Sequence, residues 1–502
     1  MTTESIEFTN NPTLSRNDRP IEPLIFEKHT PGAVAVDLPQ LDVPVAALPE
    51  DELGDAPDLP EIGQLDLVRH YTHLANRNFS VDANFYPLGS CTMKYNPRIN
   101  ETAASTPSFV AAHPMQDDAD VQGLLEMFYE LKVMLAEIAG LDEVCLQPCA
   151  GAHGEYAALK VIRAWFNDPE GGNAPQRKLV LAPDTAHGTN FASCTMCGAG
   201  VLTVKSKDGL VDLDDLRSKA NEETAALMIT NPNTAGLFDG QIGDIAEIVH
   251  SAGGLVYLDG ANMNAVLGIA RPGDFGVDVM HYNTHKTFST PHGCGGPGAG
   301  PIAVKDFLAP YLPVPWVVKK EDGTYFLDSN YPKSIGKVRS FFGQAGVLIR
   351  AWTYIRACGA AGLKHVSEAA VLNANYLAAR LRERFETPYF DNTSGKFCAH
   401  EFIAVPTQLL QQGVTLVDIA KRLIDYGIHP PTMHWPVHDC LMVEPTETES
   451  LATLDRFVDV MLKIAEEIEA DHAAMSQAPQ AADIRRLDEV AAARSPVLTY
   501  RS

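Results

Sequence analysis

Apolar positions recur at helical spacing over Val121–Ile138, VQGLLEMFYELKVMLAEI, and again over Glu155–Trp165, which follows a Gly-containing turn. A period near 3.6 gathers such positions on one face, and this predicts helices packed on a core. Short apolar runs come next: KLVLAP, GVLTVK, AALMIT, GLVYLD and VDVMHYN, with a helical pattern near Gly243–Ala252 between the third and fourth. Strand-length runs separated by helices and loops predict an α/β fold with a mostly parallel sheet. Ligands of such sheets sit at the carboxyl ends of the strands. After about residue 335 helical patterns dominate, in VLIRAWTYIRACG and HVSEAAVLNANYLAARLRERF. A strand-like HEFIAV, a helix near Val417–Tyr426 and another across Ser450–Ala470 complete the pattern.

These shifts divide the chain. Residues 1–95 read as an extended arm and a first helix, because prolines at 20, 23, 31, 39, 44 and 49 forbid a long helix before periodicity begins near Leu65. Residues 96–335 form the large α/β domain, 336–470 a smaller α+β domain, and 471–502 a polar, Ala-rich tail. The segment FYPLGSCTMKYNPRIN (85–100) is a loop punctuated by Pro87, Gly89 and Pro97.

Composition narrows the function classes. The 502 residues are 45% hydrophobic and 21% charged, as in a globular protein, and 64 acidic against 39 basic residues leave a formal charge of −25. Such a field disfavours nucleic acid as a partner. No stretch approaches the roughly 20 apolar residues of a membrane span, and the first residues have no apolar signal region. Nine scattered cysteines suit a reducing compartment, so the expected location is cytoplasmic. Cys194 and Cys197 form the one C-x-x-C pair; without a second such pair they read as buried thiols, and no metal site is expected.

The chemistry concentrates at predicted strand ends. Lys286 follows VDVMHYN and precedes a turn with five glycines between Gly293 and Gly300. A lysine desolvated in a sheet's crevice loses affinity for its proton and becomes a nucleophile for carbonyls. Asp259 ends LVYLD, where a buried acid needs a cation such as a pyridinium, or else caps a nearby turn. Gly151 and Ala152 lie at a helix start, where free amides attract phosphate. His187 follows a third strand as a stacking ring or a core histidine, and Asn231 and Asn233 follow a fourth as hydroxyl ligands or Asx turns.

Phosphate cradle, stacking ring, amide, pyridine acid and lysine, in that order along the chain, resemble the fold-type I pyridoxal-phosphate enzymes (the aspartate-aminotransferase-like superfamily). The segments GAHGEYAALKVIRAW, PDTAHGTNFAS, TNPNTAGLF, YLDGANMNAVLG, HKTFSTPHG, VRSFFGQAGVLIRA and EPTETES resemble the glycine-cleavage P-protein family. A chain of this length with the lysine is similar to the separate catalytic subunit of the two-subunit form. The resemblance implies pyridoxal 5'-phosphate as cofactor and glycine as substrate. It further implies Lys286 as the lysine that condenses with the cofactor and Asp259 as partner of its ring nitrogen. His187 becomes the stacking ring, Gly151 and Ala152 the phosphate amides, and Asn262 or Asn233 the ring-hydroxyl contact, with Ala261 and His285 lining the pocket. It implies decarboxylation of glycine, transfer of the aminomethyl group to the lipoyl group of an H-protein, and an α2β2 assembly with a subunit 1 that the N-terminal arm embraces. Cys294, Thr284 and a short 433–445 segment depart from the family pattern. Arg339, Arg350, His400 and His434 are open candidates for the substrate carboxylate. Another fold-type I lyase or transferase, or a non-catalytic scaffolding subunit, are the rival readings.

Overall fold

The structure is a computed structural model that describes residues 21–55, 57–293, 298–482 and 484–498. Residues 1–20 of the expected arm and Cys294 lie outside the described residues.

Among the described residues, seven strands form the main sheet: β1 (Glu143–Cys145), β2 (Leu179–Pro183), β3 (Gly200–Val204), β4 (Thr224–Thr230), β5 (Leu255–Gly260), β6 (Val279–Tyr282) and β7 (Ile302–Val304), in the order β1-β7-β6-β5-β4-β2-β3. β7 runs antiparallel to both neighbours, and the other pairings are parallel. All five predicted strands are present. β1 and β7 were not anticipated, because three residues are too few to show a period.

Every residue of β4 and β5 is buried, which is why these strands read as continuous apolar runs. Their alternate side chains enter two cores. Leu227, Ile229, Val256 and Leu258 pack with Leu125, Phe128 and Leu131 of the helix Gln122–Ala139. Ala226, Met228, Tyr257 and Val279 pack with Ala157, Val161 and Ile162 of the helix Gly151–Asn167.

That second helix begins at Gly151, four positions before the expected start at Glu155. The glycines are there for close approach, not for a turn. A Cβ on Gly151 would lie 2.1 Å from Asn283 Oδ1, and one on Gly154 would lie 2.7 Å from the Gly300 carbonyl oxygen.

A third core joins Leu377, Leu381, Phe402, Leu423, Leu441 and Phe457 around a small sheet in which Leu441–Val443 lies between Phe402–Ala404 and Thr432–Met433. The long element Ala345–Leu381 links the cores; it is two helices meeting at Gly359, whose φ of 61° interrupts the helix. Its first part, through Leu363, packs in the large-domain core. Residues 21–63 are largely extended, and Val36, Leu38, Leu41, Val45 and Leu48 expose their side chains. No helix among the described residues is long and apolar enough to cross a membrane.

Candidate active site

Parallel register brings the chemistry together. Asp259 on β5 is the register partner of His281 on β6, and both sit at the carboxyl end of the sheet. Asp259 is fully desolvated yet well supplied with donors. Asn190 Nδ2 donates to its Oδ2 at 3.1 Å, the Ala261 N–H donates to Oδ1 at 3.0 Å, and His281 Nε2 stands 3.4 Å from Oδ1. Burial alone would raise this carboxyl, but His281, Asn190 and the charge of Lys286 together hold it below its ordinary value. Behind it, Tyr257 Oη lies 2.6 Å from His281 Nδ1, so the imidazole bridges phenol and carboxylate.

Lys286 lies in the helical turn Thr284–Thr287 just past β6, and its Nζ donates to the Ser90 carbonyl at 2.6 Å. His285, beside it, keeps Nδ1 buried and unpaired; burial first, and then the charge of Lys286, push its imidazole down to about 3, so the ring is neutral. The Ser90 loop is tied to the same turn by Lys94, a buried ammonium 2.6 Å from Glu447 Oε1 that also donates to the Thr287 carbonyl at 3.1 Å. A cavity of about 230 Å³ beside this turn is lined by Tyr86, Thr92, Met93, His285, Thr290 and His292, among others.

His187 caps the helix Gly188–Met196, and its Nδ1 lies 2.9 Å from Thr189 Oγ1. That hydroxyl donates to buried Glu155 at 2.9 Å, as does Ser193 Oγ at 2.8 Å, so the imidazole is oriented by a chain of hydrogen bonds. The helix Gly151–Asn167 has no side-chain cap at its N-terminus, and Gly151 and Ala152 are its first residues. Asn262 donates to the Pro232 carbonyl at 2.9 Å and keeps Oδ1 buried and unpaired.

An aldehyde-bearing, phosphorylated pyridine fits these donors and acceptors. The uncapped helix start suits a phosphate, the Asp259 carboxylate a protonated ring nitrogen, and the orphaned Asn262 oxygen a ring hydroxyl.

Asn233 does not belong with them. Its Nδ2 donates to the Gly209 carbonyl at 2.8 Å, and its Oδ1 accepts from the Ala235 and Leu237 N–H groups. Asn231 is likewise paired in both directions with the backbone of Asp239. Both amides build the turn after β4 through these bonds. Of the four carboxylate candidates, Arg350 is spent on a two-pronged pair with Glu101, both contacts at 2.7 Å. His434 is half exposed beside Asp439. Arg339 keeps Nε and Nη1 buried and unpaired near His153, and His400 is fully buried with both ring nitrogens unpaired. Cys194 and Cys197 are both buried, and burial pushes the Cys194 thiol up to about 12.

Several site residues escaped the sequence reading. His281 stood inside an apolar run, where an imidazole is itself a signal. Asn190 follows His187 by three positions on a helix, and Glu444 directly follows the strand Leu441–Val443, much as Asp259 stands next to last in β5. Only the fold shows that these side chains converge.

The family described as "Glycine cleavage system P-protein" matches residues 37–324, and "Glycine dehydrogenase, C-terminal domain" matches residues 366–484. "Probable glycine dehydrogenase (decarboxylating) subunit 2" of Bacillus licheniformis is 54% identical over 485 residues, covering 95% of this chain and 98% of that protein. The protein of that name from Listeria monocytogenes serotype 4a is 51% identical over 492 residues, with the same coverage. Among solved structures, a glycine decarboxylase (P-protein) of the glycine cleavage system in inhibitor-bound form superposes with a TM-score of 0.69 at 23% identity, over 83% of this chain and 93% of that one. A sphingosine-1-phosphate lyase of Burkholderia pseudomallei gives 0.63 at 14% identity, over 84% and 95%. The fold is therefore that of the fold-type I pyridoxal-phosphate enzymes. With more than half its length matched by the family profile and relatives above 50% identity along nearly all of it, the chain belongs to the glycine cleavage system P-protein family.

Proposed function

We propose that this chain is the catalytic subunit that decarboxylates glycine and passes the remaining aminomethyl group to the lipoyl disulfide of a carrier H-protein. In that overall reaction the bond to the carboxyl carbon breaks and CO2 leaves. A carbon–sulfur bond forms as the sulfur–sulfur bond breaks, so the glycine carbon is oxidised and the disulfide reduced. Pyridoxal phosphate, when bound, supplies an aldehyde for amines and an electron-poor ring that accepts the electron pair left by CO2.

The residues divide this work. Lys286 supplies the amine at the strand end. Asp259, held as a carboxylate, keeps a ring nitrogen protonated. His187, fixed through Thr189 and Glu155, covers a ring face. The amides of Gly151 and Ala152 receive a phosphate at a helix N-terminus. Asn262 offers its free oxygen to a ring hydroxyl, while Ala261 acts through the N–H it gives Asp259. His285 lines the pocket as a neutral ring. The exposed apolar residues of the arm suit burial against a partner subunit 1 in an α2β2 assembly. The eight cysteines among the described residues are free thiols, which suits the cytoplasm.

The observation that carries this reading is a strand-end amine in the turn after β6, on the strand paired with β5, whose charge helps hold the buried Asp259 carboxyl below its ordinary value. Borohydride reduction in the presence of pyridoxal phosphate is expected to fix a pyridoxyl label at Lys286. Lys286→Ala is expected to lose both that label and the glycine-dependent exchange of labelled bicarbonate. Exchange that survives the substitution refutes the assignment.

A further inference from the structure

The loop that meets Lys286 is held by two acids that the proposed reaction leaves unused. Leu88 bridges to Val443 of the small sheet, the Gly89 N–H donates to the Met442 carbonyl at 3.2 Å, and Thr432 Oγ1 donates to the Gly89 carbonyl at 2.8 Å. From there the backbone turns through two non-glycine residues with positive φ, Ser90 at 62° and Thr92 at 46°. Each such residue costs on the order of 1 kcal/mol or more and persists only where its surroundings fix it.

Two carboxyl groups do the fixing. Glu401 Oε2 accepts the Ser90 N–H at 2.7 Å; Glu444 accepts the Thr92 N–H at 3.0 Å and the Thr92 hydroxyl at 2.5 Å. Neither acid is exposed to solvent at all. Glu401 Oε1 and both nitrogens of His400 are buried without a hydrogen bond, His400 Nε2 stands 3.6 Å from Glu401 Oε1, and ligand atoms of His400, Glu401 and Glu444 lie within 4.8 Å of one another. The fixed Ser90 peptide aims its carbonyl at Lys286 Nζ.

We propose that Glu401 and Glu444 are positioning residues for Lys286, clamping the Ser90–Thr92 backbone so that the Ser90 carbonyl holds Nζ at the strand end between condensations. The inference rests on Lys286 being the condensing amine. Two carboxylates this close in a dry pocket repel strongly, so the pair keeps a proton. Burial and then Glu444 push Glu401 well above the carboxylate range; burial likewise lifts Glu444 to about 7 against the pull of Thr92 and Lys286. The charge of Lys286 lowers both acids without returning either to its ordinary value, and the other groups facing the pair supply no further positive charge. His400 is kept neutral by burial, Cys91 is a thiol pushed up by burial, and Lys94 is already paired with Glu447. Full ionisation at alkaline pH therefore loosens the clamp.

The test is a pulse of pyridoxal phosphate and cyanoborohydride on the full chain across pH, with the label at Lys286 quantified by peptide mass and folding checked by thermal melting. Glu401→Ala is expected to slow labelling by about tenfold, the scale set by leaving the Ser90 N–H without its buried acceptor. Glu401→Gln, which keeps an acceptor for the Ser90 N–H but no titrating proton, is expected to restore the neutral-pH rate. Its ratio to wild type should then rise above neutrality. Wild-type labelling in Glu401→Ala, or a flat ratio for Glu401→Gln, overturns the proposal; should the alanine variant not fold, the glutamine profile decides alone. A wild-type chain that takes no label at Lys286 overturns the active-site reading along with it.

Discussion

Asp259 and the Glu401–Glu444 pair are both buried and both feel the charge of the same lysine, yet their pKa values move in opposite directions. Asp259 meets an amide, a backbone N–H and an imidazole; each glutamate meets its loop and the other glutamate. Burial therefore fixes the stakes, and the neighbours decide the sign. A sheet end built this way stores a permanent negative charge, which suits an electron-withdrawing ring. A clamp built the other way stores a proton.

The largest break in this comparison is Asp259→Asn, which keeps the shape and removes the charge. Turnover is expected to fall about 10²-fold or more, the usual cost of losing a preorganised charge at a reacting centre. Steady-state decarboxylation, measured beside cofactor affinity, separates that loss from simple failure to bind.

A second test uses stability. Glu444 has its folded pKa raised from the ordinary range to about 7, so the folded state holds a proton that the unfolded chain has released. Its contribution is complete below about pH 4.5 and is lost progressively as pH rises to about 7, by on the order of a few kcal/mol. Denaturant melts of Glu444→Gln are expected to lack that decline. Asp259 carries the opposite sign: the stability from its lowered pKa is present above about pH 4 and is lost on further acidification. Asp259→Asn should therefore alter only the acid limb.

The smallest effect is expected from Tyr257→Phe, which removes the phenol behind His281 and acts on Asp259 at second hand. A loss of about 1 kcal/mol in stability, with a few-fold change in turnover, is the scale of one neutral hydrogen bond. A change as large as that of Asp259→Asn would mean that the phenol, not the amide of Asn190, governs the carboxylate.

The strands around the site were legible because both of their faces are buried, and continuous apolar runs of that length permit little else. Lys286 and Asp259 were legible for the same reason, since a polar side chain at the end of such a run stands out. Asn233 misled because an amide at a strand end looks the same whether it waits for a ligand or closes its own turn. Glu401 could not be found at all. Its partner Ser90 is 311 positions away in the chain, and an acid just before a short strand carries no signal of burial.

Local pattern thus determined the α/β order, the helix faces and which polar residues stand at strand ends, since each follows from the periodicity of a few consecutive side chains. Tertiary structure alone decided the pairing of Asp259 with His281, the spending of Arg350 on Glu101 and the clamp on Ser90. Those depend on sheet register and on contacts between distant segments, and the charge state of a buried acid follows from which groups those contacts place beside it.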